Sequence, residues 1–97
     1  MDEIDLQFNK ALSDLKSSQI NIQTEQFETS INRSYYAVFH SAVALLIKKG
    51  IHTKTHSGTI SEFGKQYVHL DNFNKEIFDI FSELEELREM LTTMFLE

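Results

Sequence analysis

Apolar residues recur along most of this chain at three- and four-residue spacing, the interval that lines one face of an α-helix. Over residues 2 to about 22, Ile4, Phe8, Ala11, Leu12 and Leu15 form such a face, and Asp2 is placed to cap its start. The pattern fades after Leu15. Ser17, Ser18, Asn21 and Thr24 compete with the helical backbone for hydrogen bonds, which predicts fraying and a turn between Ser18 and Thr24. Thr24 then reads as the N-cap of a long helix from Glu25 to Gly50, with Glu25 and Glu28 at the positive end of its dipole. Lys48 and Lys49 suit the opposite end, and Gly50 supplies the left-handed residue that stops it. At about 1.5 Å per residue this rod spans about 40 Å. Phe27, Ile31, Tyr35, Val38, Ala42 and Leu45 make its predicted core stripe.

Ile51 to Ser57 reads as a connector. A third helix is predicted from about Ser57 to Tyr67, burying Ile60 and Phe63, with Thr59 and Glu62 as a capping box and Gly64 as an interruption. After a turn over Val68 to Asn72, residues Phe73, Ile77, Ile80, Leu84, Leu87, Leu91 and Met94 alternate steps of four and three. That repeat predicts the inward face of a last helix. The fold expected is all-α, an antiparallel up-and-down four-helix bundle forming a single domain over 1–97. The apolar final turns, where Met94, Phe95 and Leu96 face more than one direction, predict cover from outside the bundle, such as a second protomer.

Composition narrows the class. Zero prolines and three glycines in 97 residues favour helices over a sheet. So short a chain buries only about two-thirds of its unfolded surface, which makes a homodimer the expected state. With no cysteine there is neither a disulfide framework nor a thiolate metal site, in keeping with a reducing cytoplasm. No apolar run reaches the roughly 20 residues of a membrane span, and the acidic start Met-Asp-Glu-Ile-Asp is unlike a secretory signal, so a cytoplasmic protein without membrane contact is expected. The net charge of −6 counts against broad binding to nucleic acid. However, Lys48, Lys49, His52, Lys54, His56 and Lys65 gather near the end of the long helix, so any anion site belongs there.

Arg33 and His40, seven residues apart, fall within about 20° of each other and nearly opposite the core stripe. Thr29, Tyr36, Ala37, Ser41 and Ala44 flank them, a lining of mostly small or hydroxylated side chains that lets another helix approach closely. Such a pair is also common as plain surface. Tyr35 lies on the core side as packing; Tyr36 is placed to line an interface or to stack on a base. His52 and His56 invite a metal reading with His40, but no carboxylate or cysteine completes the set, and neither metal nor cofactor is expected. Ser57 and the Gly58 backbone, at a helix start, suit either a phosphate or a simple cap.

Arg33-Ser-Tyr-Tyr-Ala-Val-Phe-His40-Ser-Ala-Val-Ala-Leu-Leu, followed by Lys54-Thr-His56-Ser-Gly58 and Phe63-Gly-Lys65, resembles the HEPN domain family. The likeness runs from about Ala11 to Glu89. It implies a helical bundle that commonly dimerises, in a family of metal-independent ribonucleases, toxins of toxin–antitoxin pairs and companions of minimal nucleotidyltransferases. It also implies that Arg33 and His40 match the family motif and that His56-Ser-Gly matches a family string. The chain departs from the pattern in two places. The family often continues past the fourth helix with an acidic, tyrosine-containing segment and a further helix. Ala42 stands where some toxins carry a tyrosine modified by a partner nucleotidyltransferase.

The chemistry of the two residues fits that implication. Cleaving RNA without a metal needs a group to take the 2′-hydroxyl proton and a cation for charge on phosphorus. His40, with an ordinary pKa near 6.5, suits the first task and Arg33 the second. Two long helices crossing at Ala37 and Ala44 would bring two such pairs into one cleft. The expected ligand is RNA or a nucleotide, contacted also by Tyr36, Lys54, His56 and Ser57. The competing reading is a non-catalytic dimerising partner module for a minimal nucleotidyltransferase.

Overall fold

Close approach of short side chains sets the architecture. The computed structural model describes the backbone of residues 2–95 and the side chains of residues 2–93. Helix α1 (Glu3–Gln23) lies antiparallel on α2 (Phe27–Lys48). Ser18 Oγ meets Ser30 Oγ at 3.1 Å and Ser34 Oγ at 2.6 Å, while Ser30 Oγ donates to the Ser18 carbonyl at 3.0 Å. The stripe that α1 turns inward is therefore Ile4, Gln7, Ala11, Asp14, Ser18 and Asn21, spaced by alternating threes and fours and mostly polar. Phe8, Leu12 and Leu15, expected in the core, stay largely exposed. The same contact corrects the expected end of α1. The helix continues through Ser18, whose hydroxyl bonds α2 instead of fraying its own backbone, and stops at Gln23.

Thr24 closes α1 and does not open α2: its hydroxyl donates to the carbonyls of Ile20 and Asn21, and Gln26 precedes α2 without a side-chain cap. Glu25 takes a left-handed conformation (φ 60°) in the turn and so lies outside the first turn of α2. At the far end Gly50 (φ 78°) provides the expected stop. Along α2, Tyr35, Ala42 and Leu46 are buried, whereas Phe27, the first helical residue, is 58% exposed. Ala44 is fully buried within this chain. A second copy of α2 therefore cannot cross at Ala37 and Ala44, because Ala44 is already covered inside the protomer.

Helix α3 (His56–Phe63) starts at Thr55, whose hydroxyl accepts the Gly58 N–H at 2.9 Å. Thr59 is no cap. It sits in the first turn, 1% exposed, bonded to Thr53 Oγ1 at 2.5 Å and to the Thr55 carbonyl at 2.9 Å. The predicted third helix changes character at Gly64, where Gly64–His69 widens into a π-helical segment. A Cβ on Gly64 would lie 2.8 Å from Phe78 Cζ, so glycine here lets α4 approach. Tyr67 donates its hydroxyl to the Leu45 carbonyl, and Lys49 lies over the Tyr67 ring at 4.3 Å while pairing with Asp71 at 2.7 Å.

Helix α4 (Lys75–Phe95) begins after Asn74, whose side chain accepts the Glu76 N–H at 2.8 Å, so Phe73 precedes the helix. It packs antiparallel to α2 through Phe78, Phe81, Glu85 and Arg88, rotated by one residue from the predicted stripe. Ile77 and Ile80 are 50% and 53% exposed, while Phe81 is buried among Tyr35 and Phe63. Burying Phe81 contributes about 1.5–3 kcal/mol, and the rotation also turns Glu85 and Arg88 toward Tyr35 and His56. The expectation about Met94, Phe95 and Leu96 falls outside the described side chains. The result is a four-helix antiparallel bundle with one short member, and among the described residues no helix is long and apolar enough to cross a membrane.

Candidate functional site

The α1–α2 seam places Asp14 beside both motif residues. Arg33 Nη1 donates to Asp14 Oδ1 at 2.9 Å, and His40 Nε2 lies 3.7 Å from Asp14 Oδ2. Gln7, two turns earlier on α1, holds His40 Nδ1 through its Oε1 at 2.7 Å. With a carbonyl oxygen accepting there, Nδ1 carries the hydrogen and Nε2 is the basic nitrogen. Arg33 is further fixed by Asn32 Oδ1 at 2.5 Å and stands 5.3 Å over the Tyr36 ring. Its side chain remains 37% exposed.

Burial pushes the His40 pKa below the usual histidine value; Asp14 opposes this, and Lys10, Arg33 and His56 reinforce it. His40 is consequently neutral at pH 7 and competent to accept a proton.

Tyr36 is the hub. Its ring centroid lies 5.9 Å from His40 and 5.7 Å from His56, with the Arg88 guanidinium 5.9 Å away in addition to Arg33. His56 also packs on Phe39 at 4.7 Å and Tyr35 at 5.6 Å. Its Nδ1 is 3.2 Å from Arg88 Nη2 and 3.6 Å from Glu85 Oε2. Arg88 in turn binds Glu85 at 2.6 Å and lies 4.9 Å over Tyr35. The Tyr35 hydroxyl is buried near Glu85 without meeting hydrogen-bond geometry, and burial, then Glu85, push its pKa far up. Burial alone would raise Glu85, but the neighbouring Tyr35 hydroxyl and the Arg88 guanidinium outweigh it and hold the carboxyl below its ordinary range.

Two hollows open on these residues. A groove of about 420 Å³ between α2 and α4 is lined by Asn32, Arg33, Arg88 and Leu91. A pocket of about 290 Å³ is lined by Gln7, His40, Lys54, Thr55 and His56. Of the residues picked out from sequence, Arg33, Tyr36, His40, Lys54 and His56 thus come together. Ser57 does not: it is exposed and lies 3.4 Å from the Thr55 hydroxyl, while Thr55 already holds the Gly58 N–H. His52 pairs at the surface with Glu3, 3.3 Å away. Among the described residues, no three His, Asp or Glu side chains form a group able to hold a metal ion. Gln7, Asp14, Glu85 and Arg88 were not anticipated. The seven-residue step from Gln7 to Asp14, matching the step from Arg33 to His40, is the sequence signal for the first two.

Comparison with known proteins places the chain in a family. The family model described as HEPN domain matches residues 5–92. A UPF0332 protein of Thermotoga maritima is 31% identical over 76% of this chain and 56% of its own length. A Methanocaldococcus jannaschii protein named "Putative toxin MJ0605" is 34% identical over 79% of this chain and 57% of its own. A UPF0332 protein of Gloeobacter violaceus is 35% identical over 82% and 64%. The chain thus spans less than two thirds of the length of each of these relatives. No solved structure gives a significant match. From the Arg33–His40 motif, the bundle that presents it and the match over residues 5–92, the chain belongs to the HEPN domain family.

Proposed function

We propose that residues 1–97 act as one cytoplasmic RNA- or nucleotide-binding unit whose Arg33 and His40 are the catalytic pair of a metal-independent, toxin-like endoribonuclease. The observation that carries this reading is that both side chains share one carboxylate, Asp14, and each lines a surface hollow, Arg33 the groove beside α4 and His40 the pocket beside His56. His40 Nε2 takes the proton of a ribose 2′-hydroxyl. The resulting oxygen attacks the neighbouring phosphorus, and the 5′-oxygen leaves with a proton from an acid, giving a 2′,3′-cyclic phosphate and a 5′-hydroxyl. Asp14 stabilises the imidazolium so formed, and Arg33 compensates charge on the phosphate. Lys54 and His56 supply further contacts, Tyr36 offers a face to a base, and Ser57 lies outside the site.

A homodimer remains part of the proposal, with its cleft around Arg33 and Tyr36, since Ala44 is covered within the protomer. A second copy then supplies the acid. Toxin names among the relatives support the ribonuclease reading.

One observation favours the alternative, a non-catalytic partner module for a minimal nucleotidyltransferase: Asp14 already compensates Arg33 inside a single chain. The two separate in one assay. Purified protein is incubated with a short RNA in the presence of EDTA, beside Arg33→Ala and His40→Ala. The ribonuclease reading predicts ends bearing 2′,3′-cyclic phosphate from wild type and a loss of about 100-fold or more in His40→Ala. Equal inertness of all three proteins sinks it.

A further inference from the structure

The pocket beside His40 contains a second histidine whose hydrogen-bonding state is dictated from another helix. Arg88, on α4, has only donors to offer, and its Nη2 lies 3.2 Å from His56 Nδ1. That nitrogen must therefore be the acceptor. A hydrogen on Nδ1 would put two donors face to face, and Glu85 Oε2, 3.6 Å away, is beyond hydrogen-bond distance. Glu85 instead grips Arg88 at 2.6 Å, and both side chains are largely buried, so the guanidinium cannot swing away cheaply. The His56 ring is clamped by Phe39 at 4.7 Å and Tyr36 at 5.7 Å.

We infer that Arg88 is a positioning residue: held by Glu85, it fixes His56 as the neutral tautomer with hydrogen on Nε2, giving the pocket shared with His40 and Lys54 a directed N–H donor for a phosphate oxygen. The ligand class is the phosphate of a nucleotide or phosphodiester, and this part rests on the phosphate-binding reading above. A neutral donor is the useful form here. It binds an anion without competing with His40 for a proton. Each protomer thereby contributes a base, a guanidinium and an imidazole N–H without help from a second copy.

The test uses the full chain and two-dimensional nitrogen–proton spectra of the histidine rings at pH 7, with inorganic phosphate as the probe. Wild type is expected to hold His56 in the Nε2–H form, and phosphate is expected to move its signals together with those of His40. Arg88→Met should mix the two tautomers and weaken phosphate binding about tenfold, the loss of a hydrogen bond to a charged group. Arg88→Lys, which keeps a donor, should restore part of both. A charged His56, or one with hydrogen on Nδ1, in the wild-type protein overturns the inference; this reading needs no variant, so unfolding of Arg88→Met does not protect it. Phosphate that moves His40 alone removes His56 from the site. The expected tautomer with no response of either histidine to phosphate upholds the Arg88 contact and overturns the phosphate site instead.

Discussion

Replacing Asp14 with asparagine keeps the side chain's shape and removes the charge that Arg33 and His40 share. The bond from Arg33 is short, 2.9 Å, and Asp14 itself is mostly buried. A hydrogen bond between charged partners contributes about 1.5–3 kcal/mol. Arg33 is more than a third exposed, so solvent screening brings the pair closer to about 1 kcal/mol. In a domain of about 100 residues that corresponds to a melting temperature lower by roughly 4–8 °C. The effect on His40 is more diagnostic. Asp14 is the group that holds its pKa up, against burial and against Lys10, Arg33 and His56. Asp14→Asn should therefore lower the His40 pKa further and make it a weaker base. Calorimetry reads the first effect and a proton NMR titration of the His40 ring the second. A His40 pKa that rises or stays put in Asp14→Asn would refute the α1–α2 register on which the site is built.

Other substitutions probe separate parts of the account. Gly64→Ala sets a methyl group 2.8 Å from Phe78 Cζ and should cost about 1–3 kcal/mol, read as a lower denaturation midpoint with an unchanged slope. Glu85→Gln strands Arg88 against Tyr35 and should cost about 3 kcal/mol in urea unfolding, far more than Glu86→Gln on the exposed face of the same helix. The folded-state pKa of His40 lies below its ordinary 6.5, so its contribution is fully present above about pH 6.5 and is lost as pH falls through the folded value. His40→Gln should flatten the drop in melting temperature between pH 7.5 and 5; an unchanged slope assigns that drop to other groups.

The C-terminal boundary of α2 is legible because it obeys local rules, basic residues close to the last turn and a glycine with positive φ, whereas its start is uncapped and leaves no such signal. What escaped the sequence was which side of each neighbouring helix would face it. On α1 the apolar residues Phe8, Leu12 and Leu15 suggested a core face. The small serines of α2 select a partner of equally short side chains, and so the stripe through Gln7, Asp14 and Ser18 is the one turned inward. On α4 the seven-residue apolar repeat marks a helix and part of its inner face: Leu84 packs against the core, but the buried centre runs through Phe81 and Glu85, leaving Ile77 and Ile80 exposed. The buried Glu85–Arg88 pair, matched to Tyr35 and His56 from other helices, is a long-range solution with no periodic trace. Thr24 and Thr59 failed as caps for a related reason. A threonine hydroxyl satisfies a helix end from either side or bonds a neighbouring loop, and only the three-dimensional path decides. Arg33 and His40 were legible as a pair on one face; Asp14, which joins them, came from a different helix.

The account's central claim is that the Arg33–Asp14–His40 face is where ligand binds. The most direct measurement titrates the full chain with a short RNA carrying 2′-O-methyl groups, which cannot be cleaved, and follows the side-chain NMR signals of Arg33, His40 and His56. The account predicts shifts concentrated on those three, saturating together and weakened in Arg33→Ala. Shifts confined to the exposed apolar side chains of Leu12, Leu15 and Ile77, or no shifts at all, would contradict it.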